Sequence, residues 1–147
     1  MPGMDAALAP PLYAVEQQVG YLLRRAHQRH TALFQEAMAA LELTPTQFTA
    51  LVKIVELGRV TQNHLGRLAA MDPATAQGVA RRLVARGLAA MGTDPLDRRA
   101  VVLTPTREGV DLAAAAVPVA RGITAATLAP LDDREQRLFL ALLTKLA

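Results

Sequence analysis

The 147-residue chain contains no cysteine. That excludes disulfides, thiolate metal sites and thiol redox sensing together. It also lacks tryptophan, and aromatic residues make up only 3%, so a core must be assembled from Ala, Leu and Val, a composition that favours closely packed helices. The longest apolar run, 112–120, falls far short of the roughly 20 residues a membrane helix needs. No basic stretch precedes an apolar segment near the N-terminus, so a secretory signal is not expected and the chain reads as a soluble cytoplasmic protein without membrane contact. Catalytic hallmarks are missing too. There is no glycine-rich phosphate loop, no nucleophile–base pair and no pair of carboxylates on one face, so neither an enzyme nor a cofactor is expected. What is present, 52% hydrophobic and 20% charged residues, suits one folded domain with helical extensions.

The formal charge is only +3, but its distribution is uneven. Between positions 61 and 107, seven Arg (67, 81, 82, 86, 98, 99 and 107) stand against three Asp (72, 94 and 97), so this segment exceeds the charge of the whole chain. Arginine suits phosphates because its planar fork donates two hydrogen bonds at once. A solvated helix face has the same composition, and charge alone does not separate the two readings.

Residues 1–11, with Pro2, Pro10 and Pro11 and no periodicity, read as a flexible tail. A long helix is expected over 12–41, with Val19, Leu23, Ala26, Leu33, Phe34, Ala37, Met38 and Leu41 on one apolar arc. Thr44-Pro45-Thr46-Gln47 is a helix start, with Thr44 as cap and Gln47 completing a capping box; Gly58 ends that helix. A short helix follows over 61–70. Asp72-Pro73 then opens another, which lasts to Arg86. Two short strands, 88–91 and 100–103, flank a Gly-Thr-Asp-Pro turn. A helix over 106–128 carries Pro118, expected to kink it. Asp132 caps a last amphipathic helix. The fold class expected is mainly α with a small β-hairpin wing: a winged helix-turn-helix over 42–106, flanked by helical regions 12–41 and 107–147.

Such a unit suits duplex DNA, its second helix entering the major groove and its wing lying over the minor groove. The leading residues of that second helix, Ala74, Thr75, Gln77 and Gly78, are small or polar, while Val79, Leu83 and Leu88 supply the buried side. Gln77 has the amide to read adenine, and Thr75 a hydroxyl for a base or phosphate. Arg81 and Arg82 lie further along, where backbone contact is more plausible. A winged helix also serves as a protein–protein adaptor, which remains the competing reading.

The chain resembles the MarR family of transcriptional regulators over nearly its whole length. The resemblance is carried by Leu43-Thr44-Pro45-Thr46-Gln47-Phe48, Leu65-Gly66-Arg67-Leu68, Asp72-Pro73-Ala74-Thr75, Leu83-Val84-Ala85-Arg86-Gly87-Leu88 and the wing run Asp94-Pro95-Leu96-Asp97-Arg98-Arg99-Ala100. It implies a homodimer formed through the terminal helices, 12–41 and 107–147, binding a pseudo-palindromic operator in double-stranded DNA. It also implies a wing Asp-x-Arg pair, here Asp97 and Arg99, that directs an arginine into the minor groove. One departure is Pro105-Thr106-Arg107-Glu108-Gly109, where the family usually reads Leu-Thr-x-x-Gly; Pro105 is expected to shift the start of the next helix.

On the first helix, His30 falls inside the apolar arc, His27 near its edge, and Arg24 just beyond on the side of Thr31. With Leu23 and Phe34 they form a candidate cradle for a flat anionic ring. Arg24 would clamp a carboxylate, the imidazoles would bond ring substituents, and Phe34 would cover a face. The residues alone favour a buried, satisfied core histidine beside a salt-bridged arginine over such a cradle. Family members that regulate aromatic-acid breakdown carry a similar Arg-Arg…His run on this helix, matched by Arg24-Arg25 and His30 with four residues between Arg25 and His30. Gln28-Arg29-His30-Thr31 with Asp72-Pro73-Ala74-Thr75 resembles the family's nicotinate-catabolism repressors, implying a 6-hydroxynicotinate effector. A metal-responsive regulator built on His27 and His30 is an alternative, although the remaining His64 lies in the DNA-binding unit.

Overall fold

A computed structural model describes residues 13–147; the tail expected over 1–11 lies outside the described residues, as does Leu12. The first helix is shorter than its periodicity suggests. A 3₁₀ turn at Val15–Gln17 is separated from α1, Val19–Met38, by Gln18 in extended conformation. A second 3₁₀ turn, Ala39–Leu41, closes on Glu42 in the left-handed region (φ 52°). In α2, Pro45–Leu57, the capping box forms as expected: Gln47 N donates to Thr44 Oγ1 and Thr44 N to Gln47 Oε1, both at 3.2 Å. Gly58 ends the helix with φ 72°, where a side chain would be strained.

The remaining elements are β1 (Val60–Thr61), α3 (Gln62–Leu68), α4 (Pro73–Ala85), β2 (Ala89–Thr93), β3 (Val101–Pro105), α5 (Arg107–Leu128) and α6 (Asp133–Leu146). The expected hairpin is the larger part of a three-stranded antiparallel sheet ordered β1-β3-β2, in which Val60 pairs with Leu103 and Thr61 with Val102. A strand of two residues has no alternation to detect, so β1 leaves no mark in the sequence. Both hairpin strands also extend further than their apolar runs. Pro105 ends β3 opposite Ala89, and Thr106 caps α5, its side chain accepting from Gly109 N.

The core gathers where α2, α3, α4 and β3 meet, around the fully buried Leu51, Ile54, Leu65, Leu83 and Leu103. Helix α4 turns Ala76, Val79, Ala80 and Leu83 inward, and its period leaves Ala74, Gln77 and Arg81 on the outer side. Gly109 is required by packing. A Cβ there would run into the Leu88 carbonyl, whose carbon would lie 3.0 Å away.

The long helices behave differently. Of the apolar arc on α1, Phe34 and Met38 are buried, while Val19 and Leu23 remain 64% and 46% exposed. Helix α6 buries nothing; its Phe139 and Leu142 are 40% and 50% exposed. Helix α5 runs unbroken through Pro118. By length and composition alone it would suffice to cross a membrane, but it packs on α1 and α2. The mainly α winged-helix architecture expected from the sequence is the one the chain adopts.

Candidate nucleic-acid interface and effector cavity

Asp72 sets the start of α4. Its Oδ1 accepts from Thr75 N at 2.8 Å, and its Oδ2 from Thr75 Oγ1 at 2.7 Å. These bonds, the backbone one foremost, hold the Asp72 carboxyl below its ordinary value of 3.8. The Thr75 hydroxyl therefore spends its proton on the cap and retains only lone pairs. Ala74, Gln77, Arg81 and Arg82 are exposed and Gly78 is half-buried. A Cβ on Gly78 would meet nothing within 4 Å, so nothing inside the chain demands glycine there.

In the wing, two aspartates fold the loop upon itself. Asp94 Oδ1 accepts from Leu96 N at 2.9 Å and lies 3.5 Å from Arg59 Nη2. Asp97 Oδ1 accepts from Arg99 N at 3.0 Å. Asp97 thus fixes the backbone beneath Arg99, and no ion pair joins their side chains among the described residues. Arg98 and Arg99 are exposed beside Leu96 at the tip. A cleft of about 410 Å³ between the start of α3 and the wing is lined by Thr61, Asn63, Arg67, Asp97 and Arg99, among others. Two of the seven arginines are engaged elsewhere: Arg86 bonds backbone carbonyls and Arg107 pairs with Asp111 at 3.3 Å.

A second, mostly apolar cleft of about 380 Å³ lies between α1, α5 and α6. It brings together Leu23, Ala26, His27 and His30 with Thr124, Thr127 and Leu128 of α5 and Phe139, Leu140 and Leu143 of α6. Of the expected cradle, His27, His30 and Leu23 line it. Thr31 stands behind His27, its Oγ1 3.5 Å from Nε2. Arg24 is exposed and does not line the cleft. The expectation that Phe34 covers a ligand face needs correcting. It lies one turn beyond His30 and packs edge-on to Phe48, centroids 6.1 Å apart, in the core. The aromatic in the cleft is Phe139.

The hydrogen bonds around Thr127 favour one tautomer of His30. With its proton donated to Ile123 O at 2.8 Å, Thr127 Oγ1 accepts from His30 Nδ1–H at 2.9 Å. In the neutral ring, Nε2 is then an acceptor. Next to it, Arg29 donates from Nη1 to Thr127 O at 2.6 Å and from Nη2 to Ala126 O at 2.8 Å, tying α1 to the end of α5. Arg29 and Thr127 carry no sequence signal for these roles, because their partners lie 97 or 98 residues away. Among the described residues no group of three or more His, Asp or Glu is placed to hold a metal.

A helix-turn-helix with a winged sheet, exposed arginines on both, and a separate cleft on the long helices define a winged-helix protein with a ligand-sized pocket. The MarR family pattern matches residues 41–100. The HTH-type transcriptional repressor NicR of Pseudomonas putida is 40% identical over 91% of this chain and 85% of its own length. The structure of Bordetella bronchiseptica BpsR, whose DNA binding is regulated by 6-hydroxynicotinic acid, is 40% identical, with a TM-score of 0.88 covering 94% of this chain and 97% of that one. The PcaV transcriptional regulator of Streptomyces coelicolor, in complex with its natural ligand, is 28% identical, with a TM-score of 0.86 over 93% and 96% of the two chains. The chain belongs to the MarR family of transcriptional regulators. These relatives are regulators rather than enzymes.

Proposed function

We propose that the chain is a homodimeric, cytoplasmic transcriptional repressor released from its operator by a small aromatic or heteroaromatic acid, best represented by 6-hydroxynicotinate. The observation that carries this reading is the cleft at His30, whose volume of about 380 Å³ suits a small-molecule site. The lone pair on His30 Nε2 takes a donor, and the lactam form of 6-hydroxynicotinate offers a ring N–H. Phe139 faces the ring, His27 backed by Thr31 bonds a substituent, and the exposed Arg24, which follows the lining residue Leu23, reaches in to meet the carboxylate. Phe34 acts indirectly, by anchoring α1 on α2. Likeness to NicR and BpsR supports both repression and the effector class.

On the DNA side, Ala74, Gln77 and Gly78 approach base edges in the major groove, with Thr75 as an acceptor, and Arg81 and Arg82 meet the backbone. Arg98 and Arg99, the latter held by Asp97, enter the minor groove. A glycine at position 78 that no internal contact requires favours close approach from outside. Exposed apolar faces on α1 and α6 are met by a second copy through the regions 12–41 and 107–147. The two recognition helices then read half-sites about 34 Å apart.

A mobility-shift titration on the chain's own upstream DNA tests the reading, with and without 6-hydroxynicotinate, nicotinate, salicylate and protocatechuate. Release by one acid alone supports it; a shift that no acid releases rejects the effector. Absence of salt-dependent binding to upstream and genomic fragments leaves the adaptor. If Arg24→Ala changes neither effector affinity nor release, Arg24 has no part in the site.

A further inference from the structure

Arg86 follows the last turn of α4, and its guanidinium crosses to the far end of the segment that carries the cleft. Nη1 donates to Glu42 O at 2.6 Å and Nη2 to Leu41 O at 3.2 Å. These carbonyls end the 3₁₀ turn that continues α1, where terminal C=O groups lack helical partners. Glu42 is also one of two non-glycine residues with positive φ among the described residues. A backbone in so sparse a region persists only when its surroundings hold it. Here the holding group belongs to the helix that faces DNA.

Helix α4 otherwise packs on α2, α3 and β2. Among the described residues no other side-chain hydrogen bond joins it to α1 or to the turn after it. Helix α1 carries His27 and His30 near its middle and runs on through Met38 directly into that turn. Midway along it Arg29 and His30 grip α5; beyond its C-terminal end Arg86 grips the turn that follows. The planar fork matters, since two parallel bonds transmit orientation where a single ammonium transmits only distance.

We infer that Arg86 is the joint through which α1 reports occupancy of the cleft to α4. It is a positioning residue, touching neither ligand nor DNA, and the inference rests on the effector-responsive reading above. A ligand wedged among α1, α5 and α6 shifts α1. The shift reaches the Leu41 and Glu42 carbonyls, and the clamp carries it to the C-terminal end of α4, tilting the recognition helix away from its groove.

The test measures operator affinity by fluorescence anisotropy, with and without saturating 6-hydroxynicotinate, and acid affinity by calorimetry on DNA-free protein. Native protein, Arg86→Met and Arg86→Lys are compared, each first checked for fold by circular dichroism. Arg86→Met is expected to keep both individual affinities within about fivefold of native, while the acid-induced loss of DNA affinity shrinks at least about fivefold. Arg86→Lys, with a single donor group, is expected to fall between. If the Met variant does not fold, the Lys variant decides by the same ratio. A folded variant released by the native factor overturns this inference alone. A native protein that binds the operator but is not released by the acid overturns the effector reading, and the inference falls with it.

Discussion

Thr127→Val exchanges a hydroxyl for a methyl of nearly equal size, leaving the cleft's shape in place. It removes the acceptor 2.9 Å from His30 Nδ1 and the 2.8 Å bond to Ile123 O. The Ile123 carbonyl keeps its helical partner, so the first loss decides the outcome. An Nδ1–H stranded against a methyl costs about 1–3 kcal/mol, and moving the proton to Nε2 relieves it. Nε2 then presents a hydrogen where the native ring offers a lone pair. A ligand N–H loses its acceptor and meets another donor. At about 1.4 to 2.8 kcal/mol, 6-hydroxynicotinate affinity falls about 10- to 100-fold. Calorimetry on DNA-free protein reads this directly, and operator binding without acid is expected to stay native. Thr127→Ser restores the hydroxyl and returns the affinity to within about threefold. A Val variant with native affinity, or a Ser variant as weak as Val, would refute the relay.

Arg99→Ala is expected to weaken binding to all DNA sequences alike and reduce the salt slope by about 1. Gln77→Ala instead reorders operator variants, by about 1–3 kcal/mol at one base pair, in a competition assay. Gly109→Ala pushes a Cβ against the Leu88 carbonyl and strains the 3.2 Å bond from Thr106 N to Leu88 O. Together these destabilise by about 2–4 kcal/mol, read as a lower urea midpoint. Because its partners lower the Asp72 pKa in the fold, the cap's contribution is complete above 3.8 and is lost as the pH falls through the lower folded value. The stability advantage over Asp72→Ala therefore narrows on acidification from about pH 6 to about pH 3, in urea melts at the two pH values.

Much of this molecule is local chemistry. Thr44, Asp72 and Asp132 cap their helices through atoms three residues away, so the starts of α2, α4 and α6 are legible in the sequence. The arc on α1 predicts the faces of Phe34 and Met38 because a helix has one period. The amino-acid order itself also carried the winged-helix class and the likeness to the MarR family. Periodicity says which side of a helix is apolar, but not what covers it. His30 and Phe34 share a face of α1, yet His30 meets α5 and a cleft while Phe34 meets Phe48. Two-residue β1 was invisible because it exists only through pairing with β3. Seven arginines looked alike in the sequence until folding brought Glu42 O to Arg86 across 44 residues. The same holds for the Arg29 clamp and the His30–Thr127 bond. A side chain's own chemistry states what it can donate; only the three-dimensional path of the chain decides which acceptor it meets.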